Sequence, residues 1–330
     1  MTRFVNAAIG MKTLPSTQTG MPTENVTQEN ETTSIARGIE RNQKDHSMYT
    51  CASTTECARL RKFFNENWNW TKPKAAVYIL VSPRNIKELH KSLRDLEVNF
   101  LSRFSYPVII FHEKDFVPHV PKVQNITKLN MFFQEIRFDV PNIYPPVGKL
   151  LQCINRDLGF RHMCRFQAKT IYELPIMLQL EYYLRLDAHS YITKPVPYDL
   201  LKSMKDKGMV YMYPCIGHGY PDCVMFMRDA VKNYIDIKGI KPEFFGEWEN
   251  TKIYYNNFEM ARMDAFTAPG YQDYINFLDR LGGIYYNRWG DADIKSFAVS
   301  IFVPKNKTEK MPNIGYFHRG EDLEHGRCFK

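Results

Sequence analysis

The hydrophobic pattern changes period along the chain. Ala75 to Ser82 (AAVYILVS) is a continuous apolar run of strand length, the pattern of a strand buried on both faces. A Pro83-Arg84-Asn85 turn follows. Apolar residues at Ile86, Leu89, Leu93, Leu96 and Phe100 then recur at helical spacing through Phe104. Pro107 to Phe111 (PVIIF) predicts a second buried strand, so strand, helix and strand form a βαβ unit. Further strands are predicted over Met131–Phe138, Tyr182–Leu186 and Met209–Tyr213. Helices are predicted over Glu56–Asn65, Gly148–Leu158, Tyr198–Lys207, Ala230–Ile237 and Gly270–Leu281, the last ended by Gly282-Gly283. The stretch Gly283 to Pro304 reads as a polar turn, then an apolar helix or strand. No repeat of 20 to 50 residues is visible.

Residues 1 to about 47 are rich in Thr, Asn, Gln, Glu and Gly and poor in apolar residues, the composition of a disordered tail or stem. With Lys72-Pro73-Lys74 as a stop signal, the expected organisation is a tail, stem and entry segment over 1–72 and one α/β domain over 73–330.

Composition narrows the class. The chain has 330 residues, 44% hydrophobic and 14% aromatic, with 20 Tyr and 22 Phe, enough for a large core and for sugar-stacking clefts. The net charge of +8 is spread along the chain without a basic block, which argues against a nucleic-acid partner and suits an anionic small substrate or an anionic lipid surface. Seven Cys form no CxxC pair and no Cys/His cluster of zinc spacing. The odd count leaves at least one thiol free or paired outside the chain. Sequons at Asn25, Asn30, Asn69, Asn125 and Asn306 lean towards a secretory lumen. No run of about 18 apolar residues and no apolar leader is visible. A luminal destination therefore requires a targeting or membrane-associating segment that this chain does not display.

The chemistry concentrates at EYYLRLDAHSYI (Glu181 to Ile192). A β-prone run stops at Asp187, with His189 two residues on. A carboxylate at the carboxyl end of a central strand is where open α/β sheets bind ligands, and it can hold a divalent ion that in turn holds a diphosphate. The alternative is an Asp that merely caps a turn.

RHMCRF (Arg161–Phe166), EYYLRLD (Glu181–Asp187), NNFEMARMDAF (Asn256–Phe266), YYNRWGDADIKS (Tyr285–Ser296) and IGYFH (Ile314–His318) together resemble the fungal-type α-1,2-mannosyltransferases, glycosyltransferase family 15. The similarity covers roughly residues 75 to 320. It implies a GT-A-like fold, a mixed, mostly parallel sheet flanked by helices. It also implies a retaining, Golgi-resident, manganese-dependent enzyme that moves mannose from GDP-mannose to the 2-hydroxyl of a mannoside acceptor. The family's metal residues fall on Asp187 and His318, and its proposed catalytic glutamate on Glu259. Two departures stand out. Asp187-Ala188 replaces Glu-Pro, so a metal must sit closer or bind differently, and Phe160 replaces Tyr before Arg-His-Met-Cys.

On residue chemistry, Glu259 is a candidate nucleophile or oxocarbenium stabiliser; the alternative is a buried carboxylate paired with an arginine such as Arg262. Arg84, Arg161 and Arg165 are candidates for gripping the nucleotide diphosphate, since arginine holds phosphate by two bonds. Arg84 reads equally as a surface turn residue and Arg165 as an ion-pair partner. Trp289, Asp291 and Asp293 are candidates for the acceptor, a ring for the sugar face and carboxylates for its hydroxyls. The competing readings are a catalytically silent relative that binds glycan or nucleotide, and an enzyme with another nucleotide-sugar donor.

Overall fold

The computed structural model describes residues 55–139 and 158–319, together with Pro141, Cys153, Glu321 and Asp322. The chain divides into two units, Met1–Met48 and Tyr49–Lys330, and every described residue lies in the second. The predicted tail and most of the predicted helix Gly148–Leu158 lie outside the described residues.

In chain order the principal elements are α1 (Glu56–Asn67), β1 (Ala75–Val81), α2 (Ile86–Leu96), β2 (Val108–His112), β3 (Met131–Glu135), α3 (Leu158–Ala168), β4 (Tyr182–Leu186) and β5 (Ser190–Ile192). There follow α4 (Leu200–Asp206), β6 (Tyr211–Tyr213), β7 (Ile216–His218), α5 (Met227–Lys238), β8 (Lys252–Tyr254) and β9 (Phe258–Arg262). The chain continues with α6 (Pro269–Leu281), α7 (Asp291–Phe302), β10 (Thr308–Lys310), β11 (Tyr316–His318) and β12 (Glu321–Asp322).

The main sheet has seven strands in the order β10-β6-β9-β4-β1-β2-β3. Strands β1 to β4 are mutually parallel, and β9 runs antiparallel between β4 and β6. Side chains alternate across the sheet with period two. Tyr78, Phe111, Tyr183, Tyr211 and Ala261 face one core, built with α3, α5, α6 and α7. Val77, Ile79, Ile110, Leu184 and Met260 face the other, built with α2 and α4. Each such side chain removed from water contributes about 1.5–3 kcal/mol.

The folded body extends further towards the N-terminus than the boundary expected at residue 73. Cys57, Leu60 and Phe64 of α1 are buried in the first core, and Glu56 accepts the Phe133 backbone N–H at 3.0 Å. Helix α1 ends at Asn67, before Lys72–Lys74, and that stop signal does not separate it from the domain. The predicted helix after the Asn85 turn starts as expected. It then passes through a π-helical turn at Glu97–Leu101, which keeps Phe100 and Leu101 buried.

Candidate active site

Strand β4 delivers Asp187 to the carboxyl end of the sheet. The Asp187 backbone N–H donates to Asn257 O at 2.9 Å, the last rung shared with the β9 side. Ser190 N then donates to Asp187 O at 2.9 Å, closing a turn that holds Ala188 and His189. The chain reverses into β5, which pairs antiparallel with β11 so that Ser190 faces His318. His189 therefore lies in the turn rather than on Asp187's strand face.

His318 is 6% exposed and its ring is held at both nitrogens. Nδ1 lies 3.0 Å from Ser190 Oγ, and Nε2 lies 2.8 Å from Asn257 Nδ2. An amide N–H pointing at Nε2 requires the lone pair there, so the proton sits on Nδ1. Burial, opposed by Asp187 and aided by the cations Arg319 and Arg185, pushes the imidazole down to about 4, so it is neutral, with its Nε2 lone pair turned to the Asn257 amide. Asp187 and His318 thus meet around the single residue Asn257. Among the described residues no cluster of three or more His, Cys, Asp or Glu could hold a metal, so this pair offers one oxygen and one nitrogen donor and no more.

Behind Asp187 lies a buried ion-pair chain. Arg185, also on β4, donates from Nε to Asp187 Oδ1 at 2.9 Å and from Nη1 to Asp291 Oδ2 at 2.5 Å. Asn256 Nδ2 adds a 2.8 Å bond to the same Asp291 oxygen. Burial would raise the Asp291 carboxyl, but Arg185 and Lys295 outweigh it and hold it below its ordinary value. Neighbouring asparagines therefore serve two sides of the site: Asn257 orients His318 and Asn256 orients Asp291. Sequence reasoning noted NNFE but gave a role only to its glutamate. Irregular backbone sends adjacent side chains in different directions, and that is not readable from spacing.

Glu259 stands on β9 opposite Arg185 in the ladder and is wholly buried. Tyr211 donates to Oε2 at 2.6 Å, Tyr183 donates to Oε1 at 3.2 Å, and Lys295 of α7, also wholly buried, donates to Oε1. The expected alternative partner Arg262 is paired with Asp264 instead. Glu259 is therefore buried with both oxygens engaged, close to the alternative of a paired, buried carboxylate but with Lys295 in place of an arginine.

The remaining candidates separate. Arg84 is exposed in the turn Pro83–Asn85 that follows β1, at the same sheet end as Asp187. Arg161 is buried, donating to the carbonyls of Ile284 and Tyr285 at 3.3 and 2.9 Å, where it ties α3 to the turn before α7. Arg165 makes two 2.8 Å bonds to Asp279, which also accepts from Lys169. Its ion-pair alternative is the geometry found, and neither α3 arginine is presented to a diphosphate. Trp289 is 3% exposed and packs on Gly283, where a Cβ would lie 2.3 Å from the ring; its Nε1 donates to Met225 O at 3.0 Å. It supports the turn before α7 from within, and its ring is buried. Asp293 is 9% exposed. Burial and the Asp291 charge push its carboxyl up to about 7, and its Oδ1 has no hydrogen-bond partner among the described residues.

A mixed sheet with a carboxylate and an exposed arginine at the carboxyl ends of its parallel strands, and an imidazole brought beside them by the small β5–β11 sheet, forms the ligand-binding end of an open α/β sheet of GT-A-like type. The profile described as glycolipid 2-alpha-mannosyltransferase matches residues 22–323, and the chain belongs to that family. Among solved structures, the fold is similar to core-mannan synthase A of Aspergillus fumigatus in its Mn/GDP form, with TM-score 0.68, 24% identity, and 76% of this chain and 75% of that chain covered. It is also similar to the mannosyltransferase Ktr4p of S. cerevisiae in complex with GDP, with TM-score 0.65, 17% identity and coverage of 85% and 86%. Among curated relatives, alpha-1,2 mannosyltransferase KTR1 of Saccharomyces cerevisiae is 24% identical over 75% of this chain and 69% of its own length. Glycolipid 2-alpha-mannosyltransferase 2 of Candida albicans is 27% identical over 75% of this chain and 59% of its own. The matched stretch thus spans between 44% and 69% of the length of such relatives. No helix among the described residues is long and apolar enough to cross a membrane.

Proposed function

We propose that this chain is a retaining glycosyltransferase that moves mannose from GDP-mannose to the 2-hydroxyl of a mannoside acceptor. The observation that carries the reading is the meeting of Asp187 and His318 at the sheet's carboxyl end, each oriented by a separate set of hydrogen bonds around Asn257. Asp187 and His318 would hold a divalent ion, with the Nε2 lone pair passing from the Asn257 amide to the ion, and the mixed oxygen and nitrogen donor set suits manganese better than magnesium. When bound, such an ion offsets the charge that develops on the departing diphosphate. Arg84, free at the same end, is the arginine best placed to grip phosphate oxygens.

The burial of Glu259 favours a front-face route to retention over a carboxylate nucleophile. The bond between C1 and the phosphate oxygen breaks, the acceptor oxygen bonds to C1 on the same face, and its proton passes to the departing phosphate oxygen. Glu259 and Lys295 then act underneath, fixing the β9 and α7 positions from which Asn256, Asn257 and Asp291 reach the site. Disulfide Cys153–Cys223, with Cys57 and Cys215 also disulfide-bonded, supports residence in an oxidising secretory compartment such as the Golgi lumen.

The test is turnover of GDP-mannose with methyl α-mannoside by the purified protein, with and without manganese. Asp187→Ala and His318→Ala should each lower the rate at least about a hundredfold and remove manganese-dependent stabilisation by GDP in a thermal shift. Transfer that survives chelation, a response only to UDP-sugars, or GDP binding without turnover would overturn the proposal.

A further inference from the structure

We propose that the loop from Gly219 to Phe226 is the platform for an acceptor hexose, with the rings of Tyr220 and Phe226 stacking on its apolar face. This rests on the transferase reading above and assigns its acceptor side.

The loop is anchored to the catalytic turn at several points. Met225 O accepts Trp289 Nε1 at 3.0 Å, and Arg288 Nη1 lies 3.5 Å from Cys223 Sγ. Cys223 is disulfide-bonded to Cys153. Gly219 lies so close to α7 that a Cβ would stand 2.9 Å from Asp293 Oδ1, and its N–H donates to Thr251 O at 2.7 Å. The turn gripped in this way begins α7, whose Asp291 reaches Arg185 and through it Asp187. The loop is therefore continuous with the metal-side carboxylate through side-chain bonds.

An anchored segment would be expected to bury its large side chains, and this one does not. Tyr220 is 50% exposed, Met225 40% and Phe226 66%. Phe226 also holds φ at 62°, a left-handed backbone that a bulky side chain avoids. Arg288, on the other side of the same contact, holds φ at 68°. Strain of this kind persists only where the surroundings impose it, and here it presents an aromatic ring to solvent beside the site. The sequence of the loop, GYPDCVMF, contains no lysine or arginine, so it suits a neutral polyol and not a phosphate or a nucleic acid. Exposed aromatic rings bind the apolar face of a hexose. Trp289, the ring that sequence reasoning offered to the acceptor, thus acts as the support under the residues that take that role.

The experiment measures binding of α-1,2-mannobiose by calorimetry, which needs no turnover, and the acceptor KM together with GDP-mannose hydrolysis. It compares wild type, Phe226→Gly, Tyr220→Ala and Phe226→Tyr. Phe226→Gly relieves the backbone and should leave the melting temperature unchanged or raised. It should nevertheless weaken mannobiose binding and raise the acceptor KM about five- to tenfold. Tyr220→Ala should act in the same direction, and Phe226→Tyr should keep wild-type values. Binding and KM within about twofold of wild type in both ring deletions would overturn the assignment. Wild type that binds mannobiose through these rings yet neither hydrolyses nor transfers from GDP-mannose would sink the transferase reading alone.

Discussion

Two buried aspartates on the same side of the sheet respond to pH in opposite directions. Asp279 is raised by burial but held below its ordinary value by Arg165 and Lys169. A depressed carboxyl stabilises the fold above its unfolded pKa of about 4 and loses that contribution as pH falls through the folded value. Asp279→Asn should therefore cost about 2 kcal/mol at pH 7, between the values for exposed and buried pairs, and progressively less below about pH 4, as read by urea melts across pH. Asp293 is pushed up to about 7 by burial and by Asp291. A raised carboxyl destabilises the fold progressively as pH climbs from about 4 to 7. Asp293→Asn should therefore gain about 2–4 kcal/mol at pH 8 and nothing near pH 4. Both aspartates were visible in the sequence, and Asp293 drew notice beside Trp289. What set them apart was the number of cations facing each one, two for Asp279 and an unfavourable anion for Asp293.

The pair Glu259 and Lys295 joins two elements, β9 and α7, through the core. Removing one member strands a charge in the interior. Glu259→Gln and Lys295→Met should each destabilise by about 3–5 kcal/mol, and the double variant by much less than the sum; a double-mutant cycle in denaturant would measure the coupling. If Glu259→Gln instead folds normally and loses only turnover, the supporting role assigned to it is wrong. At the same scale, Gly283→Ala should displace the Trp289 ring and unseat the turn that starts α7, visible as lost near-UV signal and a lowered melting temperature. Strand β1 and helix α6 were legible because burial on both faces, or on one stripe, writes a period into the sequence. Lys295 was not, because a lysine one turn into an apolar helix reads as solvent-facing until a carboxylate on a distant strand is known to meet it.

For the molecule as a whole, Arg185 and the disulfides connect parts that are remote in sequence. Cys153–Cys223 spans 70 residues and fastens the loop that carries Tyr220 and Phe226. Cys223→Ser should cost about 2–4 kcal/mol by releasing the unfolded chain from that closure, read as a lower urea midpoint that added reductant no longer shifts through this bond. The odd number of cysteines left at least one thiol free or paired outside the chain, and among the described residues Cys164 is free and buried. Which cysteines pair was beyond spacing, since pairing follows from which loops the fold brings together.

By itself the sequence determined the α/β class, the strand that ends at Asp187 and the family, because periodicity and local motifs are properties of neighbours along the chain. Only tertiary structure decided that Glu259 is sealed by Lys295 and two tyrosines, that Arg165 belongs to Asp279, and that Trp289 lies under a loop instead of in a cleft. Those outcomes depend on which side chains face one another across the sheet, and burial and charge pairing are fixed there, not along the backbone.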